Sequence, residues 1–374
     1  PNNHIIMKTR RIKTILLFLS TMPFIGIYAQ SIYYVSPHAS SGGDGSPATP
    51  FHIIHEAVEK ARKDKNCTTI YLREGEYILD TPLVLTSADG NDSKELIIRN
   101  YPGEKAIISS GITLDLKWEK YKNGIMRAAV KGNPVMDMLI VNGDLRSMAR
   151  YPDYDKTAVR FNGTSALATA PERVKKWKNP EGGYFHAMHS HDWGDFHYRI
   201  TGKNEKGELQ LEGGWQNNRP MGIHPENRMV ENIFEELDAP GEWYYDKQEG
   251  WLYYYPLSDE NINELVFETP QLKNLIEIAG TSSHPVKNIT IEGIELTQTI
   301  RTFMEHYEPL LRSDWTIYRG GAVIFRGTEK CTLRDCYIHH VGGNGVFFDK
   351  YNRNSAVTGS YLTSIGASAI CFVG

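Results

Sequence analysis

Residues 331–338 (CTLRDCYI) and 355–362 (SAVTGSYL) share one pattern of apolar and polar side chains, 24 positions apart. Residues 345–348 (GVFF) and 369–372 (AICF) repeat at the same spacing, and residues 322–325 (AVIF) precede the first of these by 23. A fixed period of roughly 20–50 residues is typical of stacked repeats. Two coincidental pairs of hairpins would not keep register at two places in each unit. The repeat therefore predicts an all-β solenoid, whose coils bury like residues on top of one another.

The repeat divides the chain. Residues 30–137 are predicted to form an N-terminal cap, with a short amphipathic helix near residues 53–61, and the first coils. The register is lost over 138–272, where two aromatic runs, 242–246 and 251–255, indicate a hairpin; we predict an inserted β-rich subdomain here. Coils resume over 273–374. Residues 299–319 lengthen one coil by about its own length, and long loops of this kind are usually functional.

The amino terminus has the features of an export signal. After residues 1–6, which lie upstream of Met7, a cationic segment precedes an apolar one, and Ala29 offers a cleavage point. A membrane anchor is the alternative, but spanning needs about 20 predominantly apolar residues, and Ser20, Thr21 and Pro23 interrupt the run. We predict a signal peptide over residues 1–29 and a secreted or periplasmic product with no membrane span after cleavage.

The charge and the cysteine content exclude further classes of protein. The net charge is −4, and loss of Lys8, Arg10, Arg11 and Lys13 leaves 37 basic against 45 acidic residues, or −8. A nucleic-acid binder has a basic surface, so that class is excluded. Four cysteines in a chain of this length do not suggest a disulfide scaffold, and three occupy apolar positions of the repeat. Buried thiols are the better interpretation.

Four short motifs carry a resemblance: residues 33–37 (YYVSP), 149–152 (ARYP), 320–323 (GGAV) and 342–345 (GGNG). With them the chain resembles secreted right-handed parallel β-helix enzymes of the pectate-lyase-like superfamily. It is most similar to the glycoside hydrolase family 141 type, fucosidases and xylanases with an inserted β domain. The resemblance implies cleavage of plant or host polysaccharides or oligosaccharides outside the cytoplasm. The resemblance does not identify which residues of this chain would correspond to that family's catalytic pair.

The chain stops at Gly374 in the middle of a repeat. Because a solenoid needs a polar terminal cap, we expect further coils and a cap beyond this point, where the catalytic carboxylates could also lie.

Glycoside hydrolysis needs two carboxylates on either side of the scissile bond. The candidates within the chain are Asp349, which ends an apolar strand, and Asp314 and Glu305 in the long loop. Each could instead be a solvated loop carboxylate.

Sugar rings have apolar faces and polar edges, which suit aromatic and planar polar side chains. The predicted substrate-binding residues are Arg319, Tyr351, Trp315, Asn344, His191 and Trp193. His189 and His191 also suggest a metal, but spacing supplies two ligands where zinc needs three or four, so no metal site is predicted.

Two other functions remain open. A polysaccharide lyase or uronate epimerase of the same fold needs a base and often Ca²⁺, although residues 273–374 lack clustered aspartates. A non-catalytic glycan-binding solenoid is the third possibility. Hydrolysis is the leading prediction and requires no cofactor; Ca²⁺ is expected only for a lyase.

Overall fold

The computed structural model describes residues 30–218, 222–310 and 316–374, which form a parallel β-helix carrying a large β-rich insertion. The predicted signal peptide, residues 1–29, lies outside the described residues, as do Asp314 and Trp315. In the part of the chain that is described, no helix is both long and apolar enough to cross a bilayer.

Three parallel sheets form the faces of the β-helix. Sheet A consists of Gln30–Val35, Cys67–Leu72, Leu96–Asn100, Ile289–Glu292, Thr332–Arg334 and Ala356–Thr358. Sheet B consists of Gly75–Ile78, Ala106–Ser109, Glu295–Thr299, Tyr337–Val341 and Tyr361–Leu362. Sheet C consists of Leu83–Leu85, Ile276–Ala279, Val323–Glu329, Val346–Arg353 and Ile370–Val373, with Val286–Lys287 beside the third of these.

The register of these sheets confirms the repeat. Thr332 pairs with Ala356 and Tyr337 with Tyr361, both at the 24-residue spacing read from the sequence. On sheet C, successive coils stack Phe325 on Phe348, with ring centroids 4.5 Å apart. Both rings are buried in a continuous apolar core that runs along the axis of the solenoid. Each coil contributes one layer of this core, which explains why the apolar pattern repeats once per coil.

The corners of the later coils share a recurring backbone conformation. Three residues in each coil, five positions apart, have left-handed dihedrals with φ between 49° and 67°. They are Asn288, Gly293 and Gln298, then Lys330, Asp335 and His340, then Asn354, Gly359 and Ser364. Glycine at 293 and 359 adopts this conformation without steric cost, and asparagine tolerates it better than most residues. The corners between sheets A and B in these coils are therefore only two residues long.

A ten-residue helix, Ile54–Lys63, covers the first coils, as the sequence predicted. Its buried stripe, Ile54, Ala57, Val58 and Ala61, joins the apolar core of the solenoid. The Lys94 ammonium donates to the Ala61 carbonyl at 2.7 Å and so satisfies an acceptor at the end of the helix. The helix thus closes the amino-terminal end of the stacked sheets.

The insertion leaves the solenoid after the sheet B strand Ala106–Ser109 and returns at the sheet C strand Ile276–Ala279. Its described residues form three antiparallel sheets. The inner sheet is Asp144–Arg146, Leu139–Val141, Phe267–Pro270 and Gly111–Thr113. The hairpin sheet is Trp243–Asp246, Trp251–Tyr254, Met126–Ala129 and Glu119–Lys120. The outer sheet is Arg150–Tyr151, Ile223–Glu231, Tyr184–His189, Asp195–Lys203 and Leu209–Gly213.

Short helical segments lie between the strands of the insertion: Pro171–Val174, and the 3₁₀ turns Ala166–Thr169, Phe234–Glu236 and Ile262–Glu264. The aromatic hairpin predicted from the sequence is confirmed, with Trp243 opposite Tyr254. The boundary predicted at residue 138 falls inside the insertion, because Gly111–Thr113 already pairs with Phe267–Pro270 rather than with a coil.

The long loop leaves at the same corner as the insertion, between sheets B and C, but one coil later. It includes a small hairpin, Glu308–Pro309 with Thr316–Ile317. The Trp215 indole donates to the Glu305 carbonyl at 2.8 Å, and the Gln216 amide donates to the Phe303 carbonyl at 2.8 Å. Loop and insertion therefore lie together on one side of the β-helix.

Candidate functional site

A cleft of about 800 Å³ lies between the insertion and the ends of the sheet B strands. Its floor comes from the β-helix and its walls from the insertion. The floor residues are Arg301, His340, Val341, Gly342, Ser364, Ile365 and Gly366. The charged wall residues are Asp137, Asp144, Arg146, Arg150, Asp153, Glu231 and Glu242. Clefts of this size, with convergent polar groups at a junction between two structural units, are typical ligand sites.

Arg301 joins the floor to the walls. This first charged residue of the long loop donates three hydrogen bonds to Asp137: from its backbone N–H at 2.7 Å, from Nε at 3.0 Å and from Nη2 at 2.9 Å. Its Nη1 donates to Glu231 at the end of an outer-sheet strand. The guanidinium therefore holds two carboxylates from the insertion over the end of sheet B.

Glu231 continues this network into the insertion. Its Oε1 lies 3.2 Å from Nε2 of His186, and Nδ1 of His186 lies 2.6 Å from Nδ1 of His197. Burial would raise the pKa of Glu231, but the Arg301 charge and the His186 hydrogen bond together hold it well below its usual range. Burial lowers the pKa of His186, which is therefore a neutral ring. Glu231 is thus an ionised and rigidly held carboxylate.

Glu242 has the opposite electrostatic environment. It precedes the hairpin strand Trp243–Asp246, and its side chain is 3% exposed. Oε2 accepts a long hydrogen bond of 3.4 Å from the Ala239 N–H, whereas Oε1 has no partner among the described residues. Burial raises the pKa of Glu242 to about 8, and the negative charges of Asp153 and Asp238 act in the same direction. At neutral pH this carboxyl group is largely protonated.

Arg150 lies in the same wall. Its Nε donates to the Pro152 carbonyl at 2.8 Å, and its Nη2 donates to the carbonyls of Phe161 at 2.7 Å and Gly163 at 3.1 Å. These bonds fix the plane of the guanidinium and hold the loop that carries Asp153. The cleft therefore combines a protonated carboxyl group, ionised carboxylates and a fixed cation. Two carboxyl groups whose pKa values are pushed apart form the usual basis of an acid–base pair.

None of the predicted site residues that the structure describes lines this cleft. Asp349 lies on the outer face of sheet C, where Nη1 of Arg319 donates to it at 2.5 Å and Nε of Arg326 at 2.7 Å. Arg319 also donates to Glu308 at 2.8 Å. The structure thus brings two of the candidates, Asp349 and Arg319, into one ion-pair cluster under the long loop.

The other candidates are dispersed. Glu305 forms an ion pair with Lys273 at 2.7 Å. The Asn344 amide donates to the Gly320 carbonyl at 2.8 Å and accepts from the Ser368 N–H at 3.1 Å, so it ties three coils together. The Tyr351 hydroxyl donates to Glu329 at 2.6 Å, near the corner between sheets C and A. Their roles in sugar binding stay predictions.

His191 and Trp193 lie at the tip of an outer-sheet hairpin. Trp193 is exposed and stacks nearly parallel to His189, with ring centroids 5.9 Å apart. In the described part of the chain, no group of three or more His, Cys, Asp or Glu side chains could hold a metal ion. This tip presents an aromatic surface, and its predicted contact with sugar stays a prediction.

Sequence patterns pointed only weakly to the residues that line the cleft. Arg150 lies in the 149–152 motif, Glu242 starts the aromatic hairpin, and Arg301 belongs to the long loop that was expected to be functional. Their convergence could not be predicted, because Asp137 and Arg301 are 164 positions apart and meet only through the fold. Glu231 had no signal, since its ionic role depends entirely on its buried partners.

Comparison with known proteins adds evidence about the fold. No family model matches the chain. An 88-residue stretch, 23% of this chain, is 34% identical to uncharacterized protein YwoF of Bacillus subtilis (strain 168) and spans 17% of that protein. A solved structure described as a glycoside hydrolase superposes over 88% of this chain with a TM-score of 0.72 and 20% identity. A second, XylC in complex with xylose, covers 84% of the chain with a TM-score of 0.42 and 14% identity.

This chain spans 65% of the length of the first of those solved structures and 41% of the second. At 20% identity, the likeness to the glycoside hydrolase structure shows a shared all-β solenoid fold. The chain therefore has the architecture of that solved glycoside hydrolase.

Proposed function

We propose that the chain belongs to a glycoside hydrolase, and that the cleft between the insertion and sheet B cleaves a plant or host polysaccharide or oligosaccharide. The observation that carries this proposal is Glu242, a carboxyl group with a pKa raised to about 8 in a cleft that also contains ionised carboxylates. A protonated carboxyl can donate its proton to the leaving oxygen of a glycosidic bond. The shared fold with a solved glycoside hydrolase supports the same class.

In this proposal Asp153 is the second carboxylate. Its side chain is exposed at the cleft, and its negative charge contributes to the raised pKa of Glu242. It acts on the anomeric carbon, either directly or through an activated water molecule. Tyr154, the exposed neighbouring ring, provides an apolar surface for a sugar face. Glu231, which is held by Arg301 and His186, positions the wall instead of reacting.

The finer assignments are proposals of the same kind. The resemblance to the family 141 type suggests a fucosidase or xylanase activity, and the export signal suggests a secreted or periplasmic location. Both fit an enzyme that encounters polymeric glycans outside the cytoplasm.

The test is release of reducing ends from pectic, xylan and host glycans by the full-length protein and its Glu242→Gln variant. We expect the variant to lose about 10²–10⁴-fold in rate, because the amide cannot donate the proton. The wild-type rate should fall as the pH rises past about 8, where Glu242 ionises. Glu268→Gln is the matched control, because burial also raises the pKa of Glu268 but it lies outside the cleft lining. Full activity of the Glu242→Gln variant would refute the proposal.

A lyase or epimerase is the second candidate, and His340 favours it. Burial lowers the pKa of the His340 imidazole, so the neutral ring is available to accept a proton. Abstraction of the C5 proton next to a uronate carboxylate by such a base, with departure of the glycosidic oxygen from C4, gives an unsaturated product, whereas return of a proton to the opposite face gives the epimer. Ultraviolet absorbance of the released fragments, and a requirement for Ca²⁺, would distinguish elimination from hydrolysis.

A further inference from the structure

Arg150 is a buried cation without a counter-ion. Its side chain is 5% exposed, and among the described residues no carboxylate oxygen lies within 4.0 Å of its guanidinium. Three backbone carbonyls accept from Nε and Nη2, which leaves the two protons of Nη1 without an acceptor in the described structure. Because Arg150 lines the cleft, this unused edge of the guanidinium is available to a ligand.

The other arginines of the cleft are paired. Arg301 binds the carboxylates of Asp137 and Glu231. Arg146 donates to Glu260 at 2.7 Å and has Asp144 at 3.9 Å. Among the wall carboxylates, Asp153 forms no ion pair in the described structure, and Glu242 is largely protonated at neutral pH. One fixed positive charge is therefore left uncompensated at close range.

Physical chemistry makes such a residue unusual. An arginine stays charged under any ordinary condition, and burying a charge without a partner is energetically unfavourable. Backbone carbonyls solvate the guanidinium but do not neutralise it. They also hold its plane, so that Nη1 keeps a single orientation, and a preorganised guanidinium binds planar or tetrahedral oxyanions well. Structural support of the loop alone would need only the three carbonyl bonds.

We propose that Arg150 recognises an anionic substituent of the glycan that occupies the cleft, either the carboxylate of a uronic acid or a sulfate ester. This inference rests on the proposed function only in that the ligand is a glycan. Arg150 acts as a specificity residue: it favours acidic sugars over neutral sugars of the same stereochemistry. Tyr154, whose ring centroid lies 5.9 Å from the Arg150 guanidinium carbon, forms the adjoining surface.

The experiment compares matched probes with the full chain by calorimetry or ligand-observed NMR. The probes are galacturonate against galactose, glucuronate against glucose, and galactose 6-sulfate as the sulfate arm. We expect at least one acidic probe to bind about tenfold or more tightly than its neutral partner, and the probe that does so identifies the anion. Equal affinities across every matched pair, or no measurable binding of any acidic probe, overturns the proposal.

Variants assign the preference to Arg150. Arg150→Met should abolish the discrimination and leave the affinity for neutral sugars within about twofold, since methionine removes the charge but keeps an unbranched apolar side chain at this position. Arg228→Met is the matched control: Arg228 also donates to a backbone carbonyl, at His224, and lies outside the cleft lining. Discrimination that survives in Arg150→Met, or that is lost equally in Arg228→Met, contradicts the assignment.

A second variant leaves the three hydrogen bonds between Arg150 and backbone carbonyls in place. Asp153→Asn removes the nearby negative charge and leaves Arg150 in place, so the affinity for the acidic probe should rise several-fold while that for the neutral probe stays constant. An unchanged ratio counts against the proposal even if Arg150→Met fails to fold.

Hydrolysis and recognition can fail separately. If the Glu242→Gln variant distinguishes acidic from neutral probes but the wild type does not hydrolyse any glycan, only the proposed function is refuted. If hydrolysis depends on Glu242 but the protein binds acidic and neutral probes equally, only the role of Arg150 is refuted.

Discussion

Glu242 shows how one residue links burial to both chemistry and stability. Its carboxyl group lies among apolar and backbone groups with one unpaired oxygen, and this environment favours the neutral form. A group whose folded pKa exceeds its ordinary value binds its proton more tightly in the folded chain than in the unfolded chain. Stability is therefore fully present below the ordinary pKa of 4.5 and declines as the pH rises towards about 8.

The free energy of unfolding of the wild type should accordingly fall by about 1.4 kcal/mol per pH unit between pH 5 and 8 through this group alone. Glu242→Gln should remove that slope, because the amide does not titrate. Urea denaturation at pH 5, 6, 7 and 8 measures the difference between the two proteins. The exposed Glu249, changed to Gln, is the control. A constant difference between Glu242→Gln and wild type across this range would falsify the assigned pKa.

At this scale the sequence was a poor guide to the site. Asp349 was singled out because it was expected to end an apolar strand, but it lies inside the sheet C strand Val346–Arg353, and its partners Arg319 and Arg326 were not visible from spacing. Glu242 and Arg150 were visible only as members of longer motifs. Their chemistry depends on desolvation and on distant carboxylates, and neither quantity can be read from local sequence.

At the scale of elements, the long loop is clamped to sheet C by ion pairs. Asp349 is 2% exposed and is held between Arg319, from the loop, and Arg326, from the neighbouring strand. Arg319 reaches a second carboxylate, Glu308, which remains half exposed. Phe347, two residues before Asp349 on the same strand, is also fully buried. The clamp therefore ties the loop to a buried stretch of sheet C.

Removing the buried member of the clamp should cost far more than removing the exposed one. We expect Asp349→Asn to lower the free energy of unfolding by about 3–5 kcal/mol, because two guanidinium groups lose their common partner. Glu308→Gln should change it by about 1 kcal/mol or less, since water screens an exposed pair. Chemical denaturation of both variants at neutral pH supplies the comparison, and equal losses would contradict this account of the clamp.

The elements themselves were largely predictable. The 24-residue spacing identified the coils correctly because each coil buries the same inward positions, so the apolar pattern records the stacking. The cap helix and the aromatic hairpin also follow from local periodicity. The edges of the insertion were harder: Gly111–Thr113 pairs with Phe267–Pro270 across a long stretch of chain, and no local pattern reports such a partner.

At the scale of the whole molecule, the stacked core should behave as one protected body. Cys331 and Cys336 are buried in it, and burial raises the pKa of each thiol to about 11. Cys67 and Cys371 are only half-buried. The thiolate is the reactive species, so both exclusion and protonation protect the two core thiols.

Alkylation followed by mass spectrometry should show Cys67 and Cys371 reacting in native buffer while Cys331 and Cys336 resist. With added denaturant, the two core thiols should become reactive over the same concentration range, because they belong to one coil and its corners. Single Cys→Ser variants separate the two signals. Rapid native labelling of Cys331 or Cys336 would argue against a continuous core at these coils.

Both excursions from the solenoid, the three-sheet insertion and the long loop, branch from the corner between sheets B and C, whereas in the later coils the corners between sheets A and B keep two residues. The corner between sheets B and C thus accepts long insertions without disturbing the stacking of the coils. Replacing the insertion or the long loop should therefore leave the stacked coils and their apolar core intact.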